Sequence, residues 1–333
     1  MRNKSLLKAL GVLGVVGCLS LGLASCGNDS TGTSSDNSSK PSESTDTATK
    51  FDSSKNINLY TRDTTSGTRD GFFTGIGMED AKADDSLLKE KLAIVSSNGD
   101  MISNISGDIY GIGYISLSSL ETSGLKGLVY EGVEPTEANV INESYKLTRN
   151  FNYAKRASYT NVKEGQIVDA FIAYMNTVDG QTVIKNEGGI IKTASTTLWD
   201  DVKSQYSVLT EDTNGITIKL GGSSSVKSIV EQLVTEFNAM LNGAKLEYNG
   251  TGSGDAYKGI TADETAANAL DLGFASREFK TSEPISDENK GTMCTDAIVA
   301  VVNKANSLIS VTATQLVNMY SKMGTFNKWS DVK

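Results

Sequence analysis

Apolar and polar positions follow two different periods along the chain, and they predict strands alternating with helices. Short apolar runs predict strands at residues 57–60, 112–115, 216–220 and 245–248. Apolar residues at helical spacing predict helices over residues 225–241 and near 167–175 and 316–320, and a further helix starting at Gly67. This alternation indicates an α/β fold with ligand sites beyond the ends of strands.

The N-terminus has the pattern of an export signal. A basic start precedes an apolar run from Ala9 to Ala24, which is shorter than the roughly 20 residues that span a bilayer. Leu23-Ala24-Ser25-Cys26 resembles the lipobox of bacterial lipoproteins. We therefore expect residues 1–25 to be a signal peptide and Cys26 to carry a lipid such as palmitate, anchoring the protein to the outer face of the cytoplasmic membrane. An ordinary secretory signal with a chance cysteine is the alternative.

Residues 26–55 are rich in Ser and Thr and predict a tether, because they hold too few apolar side chains for a core. The folded part is expected to begin at Asn56. Of the three cysteines, Cys18 leaves with the signal, so Cys294 has no partner for an internal disulfide and is expected to be a buried structural thiol.

Composition excludes several kinds of chemistry. The 333 residues contain no histidine, which excludes Ser-His-Asp and Cys-His nucleophiles and zinc sites built on imidazole. A formal net charge of −9 argues against nucleic acid as a partner, because affinity for phosphate backbones comes from clustered Lys and Arg. We expect neither a metal site nor a cofactor.

Glycine- and hydroxyl-rich turns are the candidate site. They are Thr65–Arg69 and Gly222–Ser225, each between a predicted strand and a helix, and Gly250–Gly254. Helix N-termini offer unpaired N–H groups and a partial positive charge, so such turns are suited to binding an oxyanion. Arg62 and Arg69 flank the first turn and offer charge-assisted hydrogen bonds. Any one turn is more simply a helix cap, whereas three in one chain favour an anion site.

An enzyme is the alternative at the second turn. Ser224 and Lys227 fit the S-x-x-K spacing of Ser-Lys hydrolases, although the same spacing recurs elsewhere and no K-T-G follows. A phosphate-loop NTPase is excluded, because Val226 stands where that motif needs its second glycine.

Residues 57–333 resemble the phosphate-binding lipoproteins of the phosphate ABC importer, within the periplasmic-binding-protein class. The matching segments include Tyr60–Asp63, Ser66–Arg69, Gly111–Tyr114, Tyr145–Arg149, Gly222–Val226, Gly252–Gly254, Asp271–Arg277 and Trp329–Val332. The resemblance implies a class II α/β fold of two lobes hinged on two crossover strands. It further implies a monomer that is not an enzyme, captures inorganic phosphate between its lobes and delivers it to membrane-embedded permease subunits. A surface adhesin that retains only the fold is a further alternative.

The order of these segments differs from that of the family and indicates a circular permutation. In the family the Gly-Ser-Ser-Ser segment comes first, and the Trp-Ser-Asp-Val segment leads into the Tyr-Thr-Arg-Asp strand, whereas here Trp329 is close to the end. The permuted order implies a discontinuous lobe of residues 56–148 plus 303–333 and a continuous lobe of residues 149–302, with the hinge near Arg149 and Val301.

The resemblance also implies the ligand contacts. The residues expected to hold phosphate are Arg62, Ser66, Gly67, Thr68, Ser224, Ser225, Ser253 and Ser276. Arg69, Arg277 and Asp63 are possible further contacts or supports. Some family members have an acidic acceptor for the phosphate proton at the position of Arg277, so this sequence leaves both that acceptor and the choice between phosphate and sulfate open.

Overall fold

The structure is a computed structural model and describes residues 50–333. The predicted signal peptide, Cys26 and most of the predicted tether lie outside the described residues. The strands are β1 (Asn58–Arg62), β2 (Leu92–Val95), β3 (Gly111–Ser116), β4 (Lys126–Gly127), β5 (Val129–Tyr130), β6 (Thr148–Lys155), β7 (Thr217–Gly222), β8 (Lys245–Asn249), β9 (Leu272–Ala275), β10 (Lys290–Val302) and β11 (Ser310–Val311). The helices are α1 (Gly67–Gly75), α2 (Asn98–Ser106), α3 (Leu120–Ser123), α4 (Glu137–Ile141), α5 (Val162–Met175), α6 (Val178–Asn186), α7 (Trp199–Val202), α8 (Lys227–Asn238), α9 (Ser253–Thr261) and α10 (Ala313–Tyr320).

The long strand β10 joins two halves of one curled sheet, whose order is β2-β1-β3-β10-β6-β9-β7-β8 with β4 also on β10. The stretch 290–297 of β10 pairs antiparallel with β6, and the stretch 298–302 pairs antiparallel with β3. Within the first half, β1 runs parallel to β2 and β3, and within the second half β7 runs parallel to β8 and β9. The predicted α/β class is confirmed.

Each half has its own hydrophobic core. In the second half, α5, α6 and α8 pack on β7 and β9 around Phe171, Phe237 and Phe274. In the first half, α1 and α10 pack on one face of β3 and β10, with Phe72 stacked on Tyr114 at 3.9 Å, while α2 covers the opposite face. Because β10 contributes to both cores, it is the element through which the two halves are connected. The lobe boundaries taken from the sequence stay a prediction.

Predicted elements and observed bounds differ most at the helix expected over residues 225–241. A short 3-10 turn, Ser224–Val226, precedes α8, and α8 itself ends at Asn238. The Asn238 side chain bonds both backbone groups of Leu246, its amide donating to the carbonyl and its oxygen accepting from the N–H. The apolar pattern of the sequence continues beyond Asn238. The helix nevertheless ends there, where the Asn238 side chain forms hydrogen bonds with the backbone of strand β8.

The chain end lies beside the start of the fold. Asn56 forms an antiparallel bridge with Lys328, and the Ile57 N–H donates to the Asn327 carbonyl at 2.9 Å. Residues 51–55, assigned to the tether from the sequence, contact the chain end as well: Phe51 lies edge-on to Trp329 at a centroid distance of 5.6 Å, and the Trp329 N–H donates to the Lys55 carbonyl at 3.1 Å. Such adjacency is what a permutation at this point requires; the permutation itself stays a prediction.

Candidate functional site

The three polar turns converge between the two halves of the sheet. The Thr68 hydroxyl lies 2.8 Å from the Ser225 hydroxyl across the interface. A Cβ on Gly67 would lie 2.5 Å from Ser276 Oγ and 2.6 Å from Ser253 Oγ, so only glycine permits this approach. We call the group brought together here the cage, comprising Arg62, Ser66, Gly67, Thr68, Ser224, Ser225, Ser253 and Ser276.

Local sequence explains how two of the turns point their donors into the cage. Ser66 is the N-cap of α1, its hydroxyl accepting from the Arg69 N–H at 3.4 Å, so the Gly67 and Thr68 amides are the unpaired first N–H groups of the helix. Gly252 precedes α9 with φ of +150°, a conformation that favours glycine, and Ser253 is the first helical residue.

Arg62 is the buried cation of the cage, with 1% of its surface exposed. Its Nε donates to the Val95 carbonyl at 3.2 Å, and its Nη2 donates to the Ser96 carbonyl at 2.7 Å and to the Ser224 hydroxyl at 3.3 Å. Its Nη1 is buried without a hydrogen-bond partner among the described residues. Burial lowers the pKa of Arg62, because a charge removed from water loses hydration. A buried cation with one unused donor is suited to an anion.

Tyr114 fixes the backbone at Arg62. Its hydroxyl accepts from the Arg62 N–H at 3.1 Å and lies 2.6 Å from Thr61 Oγ1. The ring is fully buried against Phe72, and burial raises the pKa of the phenol. The segment Gly111–Tyr114 therefore supports the cage by holding the backbone of Arg62, a role that was not predicted from the sequence.

A second buried arginine, Arg149 on β6, reaches the cage from the sheet. Its Nε and Nη2 donate to Asp296 on β10 at 3.0 and 2.9 Å, and its Nη1 donates to the Ser276 hydroxyl at 3.2 Å. Asp296 is fully buried and also accepts from the Ser116 hydroxyl at 2.7 Å. Burial raises the pKa of Asp296, and the guanidinium beside it opposes that shift. The candidates drawn from the sequence include neither residue, although a lone carboxylate within an apolar strand is a signal for such a pair.

Two of the possible further contacts point away from the cage. Arg69 donates to the carbonyls of Arg62 at 2.9 Å and of Ala81 at 2.6 Å and pairs with Asp85. Arg277 pairs with Glu283 through two hydrogen bonds of 2.7 and 2.8 Å.

Asp63 holds its own turn, accepting from the Thr65 N–H at 2.9 Å and from the Thr65 hydroxyl. Asp63, Arg69 and Arg277 therefore support the structure around the cage.

The cage borders a cleft between the halves at Ser276. Arg149 and Ser276 line a cavity of about 910 Å³ whose wall also carries Lys82, Lys146 and Lys192. Another cavity, of about 560 Å³, lies beside β8 and shares no residue with the cage. The cations of the first cavity make the cleft beside Ser276 locally basic, which attracts anions despite the negative net charge of the chain.

The Ser-Lys arrangement is not assembled. The Lys227 ammonium lies 3.7 Å from Glu231 on the outside of α8, with its side chain 57% exposed, while Ser224 accepts from Arg62. Within residues 50–333 no cluster of three or more Cys, Asp or Glu residues could hold a metal ion. No helix in that same range is long and apolar enough to cross a bilayer.

Comparison with known proteins agrees with this geometry. Residues 207–333 match the model of the PBP superfamily domain. The phosphate-binding protein PstS 2 of Streptococcus agalactiae (serotype V) is 28% identical over 331 residues, which cover 98% of each chain. PstS 2 of Streptococcus pneumoniae (serotype 4) is 27% identical over 328 residues, covering 98% of this chain and 99% of its own.

The structures agree as well. A crystal structure of a phosphate-binding protein of a phosphate ABC transporter from S. pneumoniae superposes with a TM-score of 0.58 at 25% identity, covering 84% of this chain and all of the other. The predicted resemblance is confirmed. A single match spans nearly the whole of both PstS 2 chains, so the segments of this chain stand in the same order as in these relatives, and the predicted circular permutation is not shown.

Proposed function

We propose that the protein captures inorganic phosphate in the cage and passes it to the permease of an ABC importer, without catalysing a reaction. The observation that carries the proposal is the convergence of three helix-start turns on a buried guanidinium with an unpartnered Nη1. The similarity to phosphate-binding proteins over nearly the whole chain supports the same function.

The proposed contacts follow from the donors available. Arg62 supplies charge through Nη1, and the amides of Gly67 and Thr68 supply the N–H groups of α1. Hydroxyls from both halves complete the shell: Ser66 and Thr68 from the first half, and Ser224, Ser225, Ser253 and Ser276 from the second. Ser223 is not among the proposed contacts, since its hydroxyl proton is used by Ser276 at 2.9 Å.

The halves are proposed to act as lobes that close on the anion, with β6 and β10 as the connection between them. We also propose that the protein is a monomer held outside the cytoplasmic membrane by a lipid on Cys26. The support for this anchor is the sequence pattern before Cys26.

A hydrolase is disfavoured by the position of Lys227, whose ammonium faces Glu231 and cannot take a proton from Ser224. In an adhesin that retains only the fold, Arg62 would remain a buried, incompletely paired charge, and no ligand would offset the cost of its burial.

The decisive experiment is thermal unfolding of protein freed of phosphate, titrated with phosphate, sulfate and arsenate. For a micromolar site, millimolar ligand adds about 4 kcal/mol to the free energy of unfolding, a shift on the order of ten degrees. Ser224→Ala should reduce the shift, whereas Ser228→Ala, on the exposed face of α8, should leave it unchanged. If no oxyanion moves the transition of protein shown by assay to hold no phosphate, the proposal fails.

A further inference from the structure

Two hydroxyls of the cage, those of Ser276 and Ser253, donate and accept hydrogen bonds in one fixed direction. A serine hydroxyl has one proton to donate and two lone pairs that accept. Ser276 Oγ accepts from Arg149 Nη1 at 3.2 Å and from the Ser223 hydroxyl at 2.9 Å, so both of its lone pairs are used. Its own proton must therefore be donated, and in this structure Ser253 Oγ, 3.1 Å away, is in place to accept it.

The direction continues to Ser253. Ser253 Oγ accepts from the Ser276 N–H at 3.0 Å, and the Ser276 hydroxyl is in place to fill its second lone pair. The Ser253 proton is then free for the anion. On this side the cage can donate hydrogen bonds but has no lone pair left to accept one.

Arg149 is the origin of this direction. Its guanidinium cannot accept a hydrogen bond or lose its proton, so Nη1 is a permanent donor to Ser276. Asp296 holds it in place through Nε and Nη2, and both side chains are buried. Asp296 is itself occupied by Arg149 and Ser116, so this carboxylate makes no hydrogen bond to a cage residue.

We propose that Arg149 is a positioning residue that makes Ser276 and Ser253 obligate donors, so that the cage selects the fully deprotonated face of an oxyanion. This inference rests on the proposed function and specifies its ligand. Dibasic phosphate, with three oxygens free of protons, fits better than monobasic phosphate, and sulfate is accepted because nothing on this side requires a proton from the ligand.

The experiment measures the dissociation constants of phosphate and sulfate by calorimetry between about pH 6 and about pH 8, where phosphate loses its second proton and sulfate does not change. If only the dianion binds, phosphate affinity rises about tenfold per pH unit on the acid side of that pKa, while sulfate affinity stays flat. Sulfate is the control for titration of the protein itself, because several charged or titratable groups lie near Arg62 and Arg149. They are Asp63, Asp100, Tyr114, Cys294 and Asp296.

Arg149→Lys tests the positioning role. A lysine can still pair with Asp296 but has no second nitrogen that could donate to Ser276. One lone pair of Ser276 is then free to accept the proton of monobasic phosphate. We expect phosphate affinity at about pH 8 to fall about tenfold and the pH slope to flatten. Arg156→Lys is the matched control, since Arg156 is a buried arginine beyond β6 that donates to the carbonyls of Ala262 and Gly259, away from the cage.

A double-mutant cycle separates positioning from a general loss of stability. If Arg149 acts through Ser276, Arg149→Lys should have little further effect on phosphate affinity in a Ser276→Ala background. The inference is overturned if phosphate binds equally well or better at low pH, if sulfate follows the same pH slope, or if Arg149→Lys keeps the wild-type slope. If neither anion binds the wild-type protein at any pH, the proposed function itself fails.

Discussion

Replacing Arg62 with methionine should have opposite effects on ligand binding and on the stability of the ligand-free protein. The guanidinium is buried, its Nη1 has no partner among the described residues, and Arg149 nearby adds like-charge repulsion that acts with burial to lower its pKa. Methionine has a similar length and no charge to desolvate. The variant therefore removes an unfavourable buried charge and the main anion ligand together.

The magnitude follows from the hydrogen bonds that the guanidinium can offer to the ligand. The hydrogen bonds to the carbonyls of Val95 and Ser96 hold Arg62 in place and leave Nη1, with its two N–H groups, to make at least one charge-assisted hydrogen bond to the ligand. Such a bond contributes about 1.5–3 kcal/mol, so the dissociation constant for phosphate should rise roughly tenfold to a hundredfold or more. Methionine cannot donate to the two carbonyls, which limits any gain in the stability of the ligand-free state.

The assay is thermal unfolding with and without phosphate, together with calorimetric binding. We expect Arg62→Met to unfold at or above the wild-type temperature without ligand and to lose most of the ligand-induced shift. Arg156→Met, the matched control, should keep the ligand-induced shift, because Arg156 donates to carbonyls away from the cage. Wild-type affinity in Arg62→Met would refute the assignment of Arg62 as the anion's cation.

Two further predictions concern the surroundings of the cage. Gly67→Ala should weaken phosphate binding by at least tenfold in a titration, because its Cβ would lie 2.5 Å from Ser276 Oγ and push the halves apart at the cage; Gly99→Ala, whose nearest neighbour lies at 3.6 Å, should bind normally. Burial raises the pKa of Glu283, but its hydrogen bonds and the charge of Arg277 outweigh this and lower the pKa below 4.5. Its stabilising effect is present above pH 4.5 and lost as the pH falls through the lowered value, so the difference in unfolding temperature between wild type and Glu283→Gln should shrink in acid.

The turns could be predicted from the sequence because their chemistry is local. Gly67 directly follows the N-cap Ser66 of α1, and the Gly-Thr-Gly-Ser-Gly segment contains the start of α9. In both turns the glycine, the hydroxyl and the helix start lie within a few consecutive residues. The strand that leads into Arg62 is equally local. These segments identify the anion-binding character of the site without any knowledge of the fold.

The Arg149–Asp296 pair could not be predicted in this way, because its partners are 147 residues apart. They meet only because β6 and β10 pair antiparallel with Arg149 opposite Asp296, a register that depends on the whole sheet. The directions of Arg69 and Arg277 are also tertiary properties. Arg69 next to a hydroxyl-rich turn resembles a ligand in sequence, yet the nearby carbonyls of Arg62 and Ala81 use its donors.

Charge balance links the proposed closure of the two halves to the anion. In the structure Arg62 of the first half lies against Ser224 of the second, and the positive charge of Arg149 repels that of Arg62, while Asp296 balances only one of the two guanidiniums. A buried, uncompensated positive charge is costly. An oxyanion between Nη1 of Arg62 and the hydroxyls supplies the missing negative charge, so it favours the closed arrangement by as much as its affinity for the two arrangements differs. The negative charge of the anion thus contributes both to its affinity and to the proposed closure of the halves.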